Sequence, residues 1–143
     1  DNQLYTTGVN RSGSLGNGTT TSISNYEMVA TPEGTINDLS YRYGLTGTLL
    51  IDDQIYSWGD NTYGEAGLGD YEMYLTPTLV DTSMIDGTIT QIATGYASLL
   101  VVFYDGTNYS MYATGTNNFD QLAIDGSAYR ISSLTLTNLQ TDN

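Results

Sequence analysis

The sequence predicts an all-β protein of antiparallel, propeller-type blades, drawn from about two and a half repeats of roughly fifty residues and forming an incomplete ring or open blade array. Three observations carry this reading. A glycine-punctuated phrase recurs with starts near 3, 54 and 110: QLYTTGVNRSGSLGNG, QIYSWGDNTYGEAGLGD and SMYATGTNNFDQLAIDG. In each copy a tyrosine stands three residues before a glycine and an asparagine two residues after it: Tyr5, Gly8 and Asn10; Tyr56, Gly59 and Asn61; Tyr112, Gly115 and Asn117. The composition leans to Thr, Tyr, Gly, Asn, Ser and Asp, with 39% hydrophobic and 13% charged residues, a mix that packs on pleated strands rather than helices.

In chain order, the first copy opens on a strand at 4–6 and a glycine loop to Gly18. A polar connector at 19–24 follows, then a second strand near 27–30 and a turn with Pro32 and Gly34. Residues 36–39 (INDL) and 41–44 lead to the apolar run 49–51 ahead of Asp52 and Asp53. The central copy is a strand at 55–58, ending in Trp58, and a loop punctuated by Gly59, Gly64, Gly67 and Gly69. Its second strand lies near 75–80, where Pro77 marks a sheet edge or strand end. After the turn at Asp86-Gly87, residues 89–92 and Gly95 echo 36–39 and Gly44, and the run 99–103 echoes 49–51. The third copy ends in ISSLTLTNL, 131–139, where Leu134 and Leu136 alternate with threonines to give one apolar face. Three first halves therefore stand against two second halves. The third loop carries Asp120, Ala123 and Asp125 where the central copy has Gly64, Gly67 and Gly69. Glycine alone adopts positive φ without strain, so this loop is expected to differ in shape.

Composition narrows the function. The length suits a single domain over 1–143. Sixteen acidic residues face three arginines, with no lysine or histidine, for a net charge of −13. On that balance neither nucleic-acid binding nor attraction to anionic membranes is expected. The longest apolar run, 99–103, is far too short to span a bilayer, so no membrane insertion is expected. The absence of cysteine removes disulfides and cysteine-ligated zinc. Without His, Cys or Lys there is no histidine triad, thiolate nucleophile or Schiff base, and no spacing marks a carboxylate pair. A non-enzymatic protein without cofactor or metal is expected. Asp52, Asp53, Asp60, Glu65 and Asp70 gather around the central loop but lack the spacing of a calcium loop, and read as solvated turn residues. With no initiating methionine and no signal peptide, the chain reads as processed or as a piece of something larger.

Three sequons, at Asn10, Asn17 and Asn108, fall in expected loops and are glycosylation candidates. The run at 19–22 is a weaker candidate for O-glycans. Asn10 also holds the recurring asparagine position, where a side chain bonds turn backbone. Trp58, Tyr5, Tyr56 and Tyr112 read as inter-blade packing because they recur in phase. Tyr71, Tyr74 and Tyr96 are further contact candidates.

The phrase IYSWGDNTYGEAGLGD, followed by PTLV, ITQIATG and LLVVFYDG, resembles the regulator of chromosome condensation repeat, with the other two copies degenerate. The resemblance implies a β-propeller whose repeats each supply four antiparallel strands, commonly in a ring of about seven blades. This chain is too short to close such a ring, and open blades leave sheet edges to be covered. The leading expectation is an extracellular or cell-surface structural protein that assembles head-to-tail with copies of itself as a glycan-bearing filament. Gln3, Leu4 and Tyr5 at one end and Leu134, Leu136 and Leu139 at the other are the assembly-strand candidates, the terminal strand completing a neighbour's blade. The alternative is a fragment of a protein-binding propeller, an interaction scaffold or inhibitor, partnered by other repeats of a larger chain.

Overall fold

Strand-forming stretches separated by glycine, aspartate and asparagine turns give ten antiparallel strands in three sheets, in a computed structural model that describes residues 3–42, 45–126 and 128–138. β1 (Leu4–Gly8) and β2 (Ile23–Val29) pair as a two-stranded sheet. β3 (Ile36–Arg42), β4 (Thr46–Ile51), β5 (Gln54–Gly59) and β6 (Tyr74–Leu79) form a four-stranded meander in that order. β7 (Thr88–Gly95), β8 (Ser98–Tyr104), β9 (Tyr109–Thr116) and β10 (Arg130–Leu136) form a third sheet with the same order. No helix of the described residues is long and apolar enough to cross a membrane.

Each sheet is offset from the sequence repeat by half a copy. β5 and β6 come from the central phrase, while β3 and β4 come from the tail of the phrase before it. The three first halves and two second halves thus become two complete blades and one half-blade, β1–β2. The hairpin between β4 and β5 turns on Asp52 and Asp53, both at positive φ (44° and 67°), the conformation whose twist suits a two-residue connection.

Alternation along the strands builds two cores. Leu49, Ile51 and Trp58 are buried, with Leu4, Ile36, Tyr56 and Tyr74 packed around them. Leu50 points the other way, with Ile55 and Val80, into Ile92, Leu99, Val101 and Phe103 of the third sheet. Tyr112 meets Phe103 edge-on at 5.3 Å in this second core. Tyr56 and Tyr112 thus occupy the same place in successive cores, whereas Tyr5, at the half-blade, is 52% exposed. Blades are also stitched by hydrogen bonds. Gly18 N–H donates to Leu75 O and Gly69 N–H to Ser132 O, each at 2.8 Å, so the first two glycine loops reach the outer strand of the following blade. Thr94 N–H donates to Ser40 Oγ (2.8 Å), tying β7 to β3.

Two strand expectations change. β2 starts at Ile23, inside the stretch read as a polar connector, because Ile23 pairs with Gly8 across a register shift. The strand expected to complete a neighbour's blade completes its own: β10 pairs with β9 at the edge of its sheet, Ile131 opposite Gly115 and Leu136 opposite Tyr112. Leu134 and Leu136 lie in that paired strand, and Leu139 lies outside the described residues.

The other terminal strand differs. A Cβ at Gly59 would collide with the Leu45 carbonyl oxygen, and one at Gly115 with that of Ala97, because the turn leading into the neighbouring inner strand passes there. At Gly8 nothing lies within 4 Å, although its φ (113°) matches Gly115 (113°) and is close to Gly59 (98°). Among the described residues β1 pairs only with β2, so the edge bearing Leu4 and Tyr5 is open. Gly8→Ala should cost about 1–3 kcal/mol, the strain of the backbone alone. Gly59→Ala should cost clearly more, because the collision adds to that strain. Urea midpoints order the two variants, and equal midpoints would contradict the account.

Candidate interaction surface

The recurring asparagines are buried, and they shape the loops. Asn10 and Asn61 are fully buried and Asn117 is 5% exposed. In each loop the side-chain Oδ1 accepts the backbone N–H five residues on: Leu15 at 2.9 Å, Ala66 at 2.9 Å and Leu122 at 3.1 Å. The asparagine carbonyl accepts from the residue three on (Gly13, Gly64, Asp120), and that residue's carbonyl accepts from Gly16, Gly67 and Ala123. The third loop therefore follows the same path through these two turns, contrary to the expected difference in shape. Asp120 and Ala123 adopt φ of 55° and 51°, in the positive region that Gly13 (66°), Gly16 (68°), Gly64 (84°) and Gly67 (71°) take in the other copies. Divergence begins later, where positive φ falls on Gly126 instead of position 125. The sequence signal for the common path was the asparagine, and it outweighed the lost glycines.

This burial bears on the sequons. Asn10 Nδ2 donates to Thr19 O (2.9 Å), Thr21 O (3.2 Å) and Asn17 Oδ1 (3.1 Å), so the folded loop has no room for a glycan on Asn10. Asn17 is half-buried, and its Nδ2 donates to Glu27 (2.8 Å). Asn108 is exposed in the β8–β9 turn, its N–H donating to the Asp105 carboxylate.

The acidic residues read as a group are dispersed among separate turns. Asp52 Oδ1 accepts from Thr35 N–H, Asp53 Oδ1 from Ile89 N–H and Asp60 Oδ1 from Thr62. Asp70 accepts from Asn61 Nδ2 and from the Tyr74 hydroxyl. Trp58 is fully buried in a slot between Gly16 and Gly47 and donates from Nε1 to Ser14 O (2.8 Å), a carbonyl that also accepts the Tyr41 hydroxyl.

Glu65 is the buried carboxylate of the set, 3% exposed. It accepts from Tyr63 N–H (2.8 Å), as Gln121 accepts from Phe119 N–H at the same place in the third loop (2.8 Å). Burial pushes its pKa above the usual carboxylate value, with a smaller push from Asp60, against the downward pull of the backbone hydrogen bonds. A raised folded-state pKa contributes stability that is present at acid pH and lost as pH rises through that value. Glu65→Gln, which copies Gln121, should therefore raise the melting temperature at about pH 7 and lose that advantage toward about pH 4. A pH-independent difference would contradict this.

The two ends of the blade array differ. At the glycine-loop end Val9 (67%), Tyr96 (69%), Phe119 (88%) and Tyr129 (55%) are exposed, together with Tyr63 and Tyr71. At the opposite end, the connector between β6 and β7 exposes Met84 (93%) and the β8–β9 turn exposes Tyr109. Arg130 lies over the Tyr71 ring at 3.8 Å and donates to Thr62 O, locking the third blade to the second loop. Tyr63, Tyr96 and Phe119 line a cleft of about 390 Å³ floored by Leu100 and Leu122. Leu100, Val102 and Met111 continue from it across the outer face of the third sheet.

Comparison with known proteins fits this architecture. Residues 52–102 match the family model of the Regulator of chromosome condensation (RCC1) repeat. The chain is 28% identical over 125 residues to the ultraviolet-B receptor UVR8 of Arabidopsis thaliana, covering 87% of this chain and 28% of that protein. It is 29% identical over 113 residues to the human E3 ubiquitin-protein ligase HERC2, covering 77% of this chain and 2% of the ligase. Human WBSCR16 superposes with a TM-score of 0.79 at 20% identity, over 95% of this chain and 35% of that structure. Prp20p of Saccharomyces cerevisiae does so at 0.79 and 16%, over 94% and 34%. The chain thus spans about a third or less of the length of each.

Proposed function

Since this chain is built of RCC1-type β-propeller repeats, we propose that it is part of a non-catalytic protein-interaction scaffold that binds partners at its glycine-loop end. The observation that carries the reading is a division of labour. The recurring asparagines are spent inside the loops, while the residues left outward at that end are large and aromatic. Exposed aromatic patches on a rigid frame are what protein interfaces use as anchors. The solved structure of Prp20p is described together with its binding to Gsp1p and histones, which supports an interaction role for the repeat without naming a partner here.

A second reading keeps the chain assembling with copies of itself as an extracellular filament, with glycans at Asn17 and Asn108. The open edge of β1 favours it. Against it, β10 already completes its own sheet, so a copy would meet that edge only with the outer side of a paired strand.

Partner capture from native extract, with the chain immobilised at one terminus, separates the readings. Phe119→Ala and Tyr96→Ala should reduce the retained proteins, and Met84→Ala at the opposite end should not. Equal loss in all three would contradict the scaffold, and growth of the chain's sedimentation coefficient with concentration would favour the filament.

A further inference from the structure

The glycine-loop end holds one cation between aromatic rings. Arg130 opens β10 and is half-buried, its guanidinium carbon 3.8 Å from the centre of the Tyr71 ring and 5.3 Å from that of Tyr129. Its Nη1 donates to Thr62 O at 3.0 Å. Ring contacts occupy the flat face of a guanidinium and leave its N–H groups in plane. One of five donors is therefore used, and the others have no acceptor among the described residues. No carboxylate of the described residues pairs with Arg130, although the chain holds sixteen acidic residues against three arginines. Asp60 and Asp70 of the neighbouring loop are engaged within that loop. Asp60 Oδ1 accepts from the Thr62 amide and hydroxyl, and the Asp70 carboxylate accepts from Asn61, Glu72 and Tyr74.

Internal repetition places this arginine outside the seams between blades. Arg130 precedes the Ile131–Gly115 pair by one residue, as Met73 precedes the Tyr74–Gly59 pair. Met73 is 47% exposed with the third blade in place behind it, and Tyr71 is 40% exposed. The rim position is thus open in a blade that has a successor. Arginine and tyrosine are the residues that anchor interfaces, and a guanidinium fork fits a carboxylate with two parallel hydrogen bonds. Resting on the scaffold reading, we propose that Arg130, between Tyr71 and Tyr129, binds an aspartate or glutamate side chain of a partner protein. The net charge of −13 repels anions at a distance, so recognition is by contact and not by steering. The partner segment therefore presents a single carboxylate among neutral or basic residues, not an acidic run.

The test is two-dimensional NMR of the full chain, following the arginine Nε–H signals during titration with the peptide acetyl-Gly-Ser-Glu-Ser-Gly-amide at about 0.05 M ionic strength. The same peptide with Gln in place of Glu is the neutral comparison. The Arg130 signal should shift saturably with the Glu peptide and not with the Gln peptide, while those of Arg11 and Arg42 stay nearly still. Arg130→Lys keeps the charge and loses the fork, and should weaken binding about tenfold, read from the Thr62 and Tyr71 amide signals. Tyr129→Ala, which leaves the bond to Thr62 in place, should weaken it as well. Circular dichroism should show both variants folded. Equal shifts at all three arginines, or binding that Arg130→Lys leaves unchanged, would show unselective charge pairing and overturn the proposal. So would a phosphoserine peptide that saturates the Arg130 signal at far lower concentration, since the ligand would then be a phosphate. No shift at Arg130 while partner capture still responds to Phe119→Ala would end this inference and leave the scaffold standing; failure of both would remove both.

Discussion

One hydrogen bond, made three times, organises this chain: an asparagine side-chain oxygen accepting the amide five residues ahead. It holds each long loop in two successive tight turns and, in the first two, aims the far end at the next blade's outer strand. Because the asparagines are buried, each bond forms where water does not compete, and breaking it would strand a buried amide. The inter-blade bonds from Gly18 and Gly69, and the slot that receives Trp58, depend on that loop path.

The cores follow from strand alternation on this frame. β4 has apolar residues on both faces, Leu49 and Ile51 toward the half-blade and Leu50 toward the third sheet, so it is buried throughout. β8 has the same character, but its counterpart face, with Leu100 and Val102, is only half-buried. The internal repetition therefore states what each surface would meet if the pattern continued. Gly8 has the backbone of Gly59 without the close neighbour found there among the described residues.

Much of this was legible in the sequence. The period, the three tyrosine–glycine–asparagine sets and the run 99–103 gave the sheets and the resemblance. The half-copy offset was not legible, since periodicity fixes the length of a repeat but not where a blade begins. Ile23 was missed because a polar stretch conceals a strand whose register depends on pairing with Gly8. The third loop's shape was not legible in its glycine content, because the asparagine clamp holds the path that the glycines follow elsewhere. Asp120 and Ala123 show that a fixed hydrogen-bond frame imposes positive φ on residues that would not choose it. Asn10 resembled a glycan acceptor because a sequon carries no information on burial.

Amide hydrogen exchange at Leu15, Ala66 and Leu122 tests the clamp most directly. The account predicts that all three exchange as slowly as the amides of β4 and β8, although they lie in loops, and that Leu122 is protected despite its glycine-poor surroundings. Rapid exchange at these amides with the strands still protected would mean that the asparagines do not hold the loops, and the shared architecture would need another cause.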